Sequence, residues 1–380
     1  MRLKTVLYVF INIIILYRLV NSNELIEDNT DEILEGVKSI YRLDYNRSYE
    51  IFLENFETHP LSPFGLIAVE WLKNQQIESM KRANDKLEQD IKRVASYYKE
   101  KLENNREDYY SLFYYGLTLG LKARLSLAKK DWLGILINGY KSVKYMKRAI
   151  DNIKDDYDVY LPVGLFSYYV GISSSYMKIA SYILDIAGSK EEGLEYMKLT
   201  ADNGKYGKYE AQGILAFVYL YIEGNYNESL KYSRLLSEEF DENPYYKYLM
   251  AEAYLEIGQL DKVIELTKGI EKYLPNLNNR VKRENEFRYN LLKGSIYLYT
   301  NQLYDSEKFL TKCLNFDDFD LDYELGNLYL RLGFLYDMLG KRTNAKFWYR
   351  KAIESDNRSI TVKRAKYYLN TPFNLEKNGG

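Results

Sequence analysis

The stretch Gly333-Phe-Leu-Tyr-Asp-Met-Leu-Gly-Lys-Arg-Thr-Asn-Ala-Lys-Phe-Trp-Tyr-Arg-Lys-Ala352 decides how the whole chain is read. Gly333 is followed three places on by Tyr336, nine further by Ala345 and seven further by Ala352. At about 3.6 residues per turn, Gly333 and Tyr336 share one helical face, as do Ala345 and Ala352. Between the two pairs stands Gly340-Lys341, where a left-handed residue ends one helix before the next begins. The spacing predicts two antiparallel helices packed closely through their small residues.

The pattern recurs upstream as Gly294, Tyr297, Ser306, Cys313, then as Ala251, Tyr254, Val263, Ile270. With one residue inserted it returns as Ala216, Tyr219, Ser229, Leu236. Each copy has its turn: Gly224-Asn225, Gly258-Gln259 and Thr300-Asn301-Gln302. Successive Tyr positions lie 35, 43 and 39 residues apart. This resembles the tetratricopeptide repeat, whose period is about 34 residues. The resemblance is specific over residues 205–360. It implies an all-α fold, an α-solenoid of helix–turn–helix hairpins forming a right-handed superhelix, with a concave face that binds other molecules. Tyr219, Tyr221, Tyr254, Tyr297, Tyr299 and Tyr336 are the candidate concave-face residues.

Gly36, Ser39, Ser48 and Asn55 repeat the same offsets, with Pro60 five residues after Asn55 as Pro275 is after Ile270, so a unit is expected to begin near Thr30. From 64 to 205 the copies degrade, and Met80 to Glu103 and Trp132 to Lys154 each read as helices of more than twenty residues. The expected organisation is a signal peptide over 1–22, a degenerate helical-hairpin region over 23–204, repeats over 205–360, and a helix end and tail over 361–380. No stretch alternates apolar and polar residues between hairpin turns, so no strand is expected.

The amino end has a basic start, Met1-Arg-Leu-Lys4, an apolar run to Leu16 and small residues at Val20-Asn-Ser22. That succession is the form of a secretory signal, so an exported protein is expected, in the envelope, periplasm or medium. An uncleaved anchor is the alternative, against which Arg18 shortens the span below the ~20 residues a bilayer needs. No Cys follows the apolar run, which excludes a bacterial lipoprotein.

The chain carries 53 basic and 54 acidic residues, a net charge of −1, so no global field attracts nucleic acid and none is expected as partner. Charge is uneven locally: nine basic residues stand between Lys122 and Lys154 against two acidic ones. Lys141, Lys144, Lys147 and Arg148 fall at three- and four-residue steps on one helical stripe, a candidate dock for an acidic partner or an anionic membrane surface. The 41 Tyr against 15 Phe suit helix seams that reach solvent, and exposed Tyr faces would equally suit a glycan.

Catalytic chemistry finds little footing. His59 is the only histidine and stands beside Pro60, so it reads as a loop residue without the further ligands a zinc site needs. Cys313, the only cysteine, sits where the repeat buries a small residue. The acidic run Asp317-Asp-Phe-Asp-Leu-Asp-Tyr-Glu324 copies the first spacings of a calcium loop. Tyr323, however, stands where the turn requires Gly, and Tyr329 where the chelating Glu belongs. It reads as a solvated loop whose Asp residues cap a helix starting near Asp322. No catalytic residue, metal site or cofactor is expected. The expectation is a scaffold binding a protein or peptide, with a glycan-binding module as the alternative.

Overall fold

The computed structural model describes residues 29–173, 188–277, 279–355 and 358–375. The signal-peptide expectation, and the last residues of the tail, lie outside them. Seventeen α-helices and no strand occur among the described residues. They run as antiparallel hairpins. The first four are α1 (Thr30–Tyr41) with α2 (Tyr45–Glu54), α3 (Ser62–Ile77) with α4 (Met80–Asn104), α5 (Tyr109–Ala128) with α6 (Trp132–Ile150), and α7 (Tyr160–Ile172) with α8 (Lys190–Asn203). Then come α9 (Lys208–Val218) with α10 (Tyr226–Glu239), α11 (Pro244–Glu256) with α12 (Leu260–Tyr273), α13 (Asn279–Tyr299) with α14 (Leu303–Cys313), and α15 (Tyr323–Met338) with α16 (Arg342–Glu354). A single helix, α17 (Ile360–Asn370), closes the stack.

The turns form as the sequence dictates. Gly224, Gly258, Asn301 and Gly340 all have positive φ, between 58° and 73°. The N–H after each returns to the carbonyl of the repeat Tyr: Gln259 to Tyr254, Gln302 to Tyr297 and Lys341 to Tyr336, at 2.8–2.9 Å. These bonds satisfy carbonyls the helix end leaves free. Leu43 and Lys130 do the same in the first and third hairpins, with φ 66° and 56°, although neither is a residue that favours this conformation. Helix starts are capped by side chains, Asp44, Ser79, Asp108, Asp131, Ser189, Asn225 and Ser359 each accepting the N–H three residues on.

Close approach within hairpins comes from the small residues. A Cβ on Gly333 would stand 2.2 Å from the Tyr349 ring, and one on Gly294 2.6 Å from Leu310. Where the second helix offers a serine, its hydroxyl donates to the carbonyl of the facing small residue: Ser48 to Gly36, Ser142 to Gly116, Ser229 to Ala216 and Ser306 to Gly294, at 2.7–2.8 Å. The core runs along the stack as successive apolar layers, as quasi-one-dimensional folds require.

One sequence expectation needs correction. The helix from Trp132 stops at Ile150, not Lys154, at 19 residues, because Asp151 caps it and Asp156 starts a separate 3-10 turn over Tyr157–Val159.

Candidate functional site

The expected row of concave-face tyrosines is not a row. Tyr219, Tyr221 and Tyr254 are buried, at 4%, 1% and 8% exposure, which withdraws them as ligand-facing residues. Tyr219 stacks on Tyr232 with rings 6.3 Å apart, and the Tyr254 hydroxyl accepts from Arg234 at 2.8 Å. Tyr221 lies with its hydroxyl 3.5 Å from that of Tyr248, and burial pushes its phenol well above the ordinary range. The same small-to-large spacing that identified the repeat turns these rings into the seam between helices. Tyr297, Tyr299 and Tyr336 are half-buried. The Tyr336 hydroxyl donates to Glu307 at 2.8 Å, and the Tyr297 ring packs 5.5 Å from Phe309.

Sequence reasoning missed a charged ladder carried by the first helices of the last hairpins. Glu252 on α11 accepts two bonds from Arg331 on α15, at 2.9 and 2.6 Å, and both side chains are no more than 2% exposed. Arg331 lies 3.8 Å from Glu256, which also holds Arg364 of α17 at 2.6 Å. Glu324 accepts from Arg288 of α13 at 3.0 Å, and Arg288 and Arg280 both reach Glu284. Helices of non-adjacent hairpins meet here, so this is the inward side of the superhelix. Burial pushes the Glu324 carboxyl up to about 7, against the opposing pull of Arg288. Four-residue steps on α11 (Glu252, Glu256) and α13 (Arg280, Glu284, Arg288) were visible in the sequence, but which Arg meets which Glu on another helix depends on the superhelical turn.

The acidic run lies on this inner side too, and the solvated-loop reading is overturned. Asp318 accepts from the Met80 N–H at 3.1 Å and from Arg280 Nε at 2.9 Å. Asp320 pairs with Arg124 and accepts from Asn84, and Asp322 pairs with Lys130 at 2.6 Å. Asp318 thus supplements the cap of α4, more than two hundred residues away, in place of capping α15. Lys38 to Glu239 and Asn243 to the Tyr41 carbonyl, at 2.8 and 3.0 Å, tie the first hairpin to the middle of the chain in the same manner.

His59 and Cys313 are structural. His59 is buried, its Nδ1 accepting from the Leu61 N–H at 3.2 Å and its Nε2 3.3 Å from the Tyr206 hydroxyl. Desolvation, aided by Lys205, lowers its pKa to about 4. The Cys313 thiol is 1% exposed, faces the Phe287 carbonyl at 3.5 Å, and is pushed above its ordinary range by burial. Among the described residues no cluster of His, Cys, Asp or Glu could hold a metal, and no helix is long and apolar enough to cross a membrane.

The basic stripe is where the spacing put it. Lys141, Lys144, Lys147 and Arg148 are all exposed on α6, and among the described residues none joins an ion pair. Leu133 and Ile137 lie two turns and one turn before Lys141 on the same stripe, at 58% and 40% exposure. The face therefore runs from apolar to cationic along one outward helix.

Residues 326–359 match the family model of the tetratricopeptide repeat, the span that holds Gly333, Tyr336, Ala345 and Ala352. Those residues form a tetratricopeptide repeat. Among solved structures the repeat protein is similar to NprR in complex with its cognate peptide NprX, at 16% identity and TM-score 0.46, over 79% of this chain and 80% of that one. It is also similar to a human IFIT1 dimer with m7Gppp-AAAA, at 12% identity and TM-score 0.44, over 91% and 83%. No curated protein matches its sequence. The assignment rests on the family match and the hairpin geometry described above.

Proposed function

We propose that this repeat protein is an exported, non-catalytic scaffold that binds an acidic protein or peptide in the cell envelope through the outward face of α6. The observation that carries the reading is the contrast in charge use: the inner cations are consumed by the chain's own carboxylates, whereas four cations on α6 face solvent beside Leu133 and Ile137. Export is supported by the basic, apolar and small-residue succession in residues 1–22. Neither nucleic acid nor a glycan is the favoured partner: net charge is near zero, and most of the candidate tyrosines serve packing.

The test is capture from a native envelope extract by the wild-type protein and by a variant with Lys141, Lys144, Lys147 and Arg148 all changed to Glu. The partner is expected to be lost from the variant while melting shifts by less than about 0.5 kcal/mol, since exposed charges contribute little to stability. Retained capture would overturn the reading, and transfer of binding to anionic vesicles would replace the protein partner by a membrane surface.

A further inference from the structure

The residue inserted between Tyr219 and Ser229 is absorbed as a π-helical turn, Tyr219–Glu223. It is closed by the Asn225 N–H on the Tyr219 carbonyl, 2.9 Å away and six residues back, where the other hairpins span five. Such turns recur at functional positions because they re-aim side chains without ending the helix. Here the turn places Ile222 and Glu223 in the wall of a cleft of about 400 Å³, within the size range of small-ligand sites.

The cleft lies between the end of α7, the start of α8 and the start of α17. Ile172, Ile222 and Val362 give it an apolar wall, and Lys190, Arg358, Lys363 and Lys366 bring positive charge. Glu223 is its one carboxylate and is already engaged, accepting from Tyr168 and from Lys190 at 2.8 Å each. Four cations against one carboxylate leave three positive charges without a balancing group in the lining. The first turns of α8 and α17 both border the cleft, adding the partial positive charge of two helix starts.

Arg358 points most directly to a ligand. It holds φ 63°, in the left-handed region, as Lys130 does at its turn. Its guanidinium lies 5.6 Å over the Trp132 ring, and its Nε is buried with no hydrogen-bond partner among the described residues. A buried donor left unsatisfied costs free energy that a bound acceptor would recover.

We propose that this cleft binds a small amphiphilic phosphate, its dianionic head held by Arg358, Lys363 and Lys366 and its apolar body laid against Ile172, Ile222 and Val362. The site is separate from α6 docking and stands whether or not that reading holds. The probes are hexyl phosphate, inorganic phosphate and hexanoate, followed by calorimetry and by the rise in melting temperature. Hexyl phosphate should bind at least tenfold more tightly than inorganic phosphate and more tightly than hexanoate. Changing the exposed Lys363 and Lys366 to Glu should abolish binding of both phosphates without changing the melting temperature of the free protein. Ile172→Ser should weaken hexyl phosphate and leave inorganic phosphate unchanged. Equal binding by the Lys363/Lys366 double variant, no binding at millimolar concentration, or no advantage of the hexyl chain would each overturn the proposal.

Discussion

The inward ladder and the outward face of α6 use the same residue types to opposite ends. Arg331 is 2% exposed and clasped by Glu252, whereas Lys144 stands in solvent without an ion-pair partner among the described residues. The difference is one of place in the superhelix. On the inward side, first helices of non-adjacent hairpins face one another, water is excluded, and each cation must find a carboxylate within the chain. On α6 water solvates the charge, and the cation is left available to another molecule. Charge in a repeat protein therefore says little about binding until the winding of the stack is known.

The comparison breaks first at Glu252. Glu252→Ala leaves Arg331 buried with only Glu256 at 3.8 Å, and should cost about 3–5 kcal/mol in urea denaturation, the penalty for an uncompensated buried charge. Replacing Glu252 and Arg331 together by Leu and Met should recover most of that loss. A Glu252→Ala protein that unfolds like the parent would mean the ladder is solvated, and the contrast with α6 would disappear.

Acid tests the buried side of the contrast, because groups there titrate abnormally. His59 has a folded pKa of about 4 against an ordinary 6.5, so the unfolded chain takes up the proton first. Its contribution is fully present above pH 6.5 and is lost as pH falls toward 4. Asp156 has the opposite sign. Burial, with Asp158 beside it, raises its carboxyl from 3.8 to about 6, so its contribution is present at low pH and lost as pH rises through 6. Relative to wild type, His59→Gln should gain about 2 kcal/mol between pH 7.5 and 4.5, and Asp156→Asn should gain a similar amount in the reverse direction, at about 1.4 kcal/mol per pKa unit. Parallel pH profiles of both variants and the parent would refute the assignment.

The hairpins were legible because their cause is local. Gly333 with Tyr349 and Ser306 with Gly294 meet within one helical pair, and the left-handed turns at Gly224, Gly258, Asn301 and Gly340 were marked by residue type. Even the extra residue before Ser229 was readable, and it became the π-turn. Lys141, Lys144, Lys147 and Arg148 were legible for the same reason, since exposure follows from one helix's periodicity. The tyrosines misled because amphipathic rings satisfy both a seam and a groove, and only packing decides between them. The Glu252–Arg331 pair and the bonds of Asp318 to Met80, Asp320 to Arg124 and Asp322 to Lys130 were out of reach, since each joins non-adjacent hairpins brought together by the superhelix as a whole.

The acidic run tests how far that winding depends on charge. Asp318 and Asp320 are less buried than Glu252, so their bonds to the Met80 N–H, Arg280, Arg124 and Asn84 should be worth less than the ladder. Changing both to Asn should cost about 1–2 kcal/mol, the scale of a lost helix cap together with partly exposed ion pairs. The loss should shrink at high salt, because charges at this depth are partly screened over a Debye length of about 8 Å at physiological ionic strength. Hydrogen exchange should quicken at residues 75–84 and 318–324 together, since those segments hold one another, and stay unchanged on α6. Faster exchange at one segment alone would show that Asp318 acts as a local cap and that the two ends of the stack are held together by apolar packing. In that case the inward side would resemble α6 more closely than the ladder suggests.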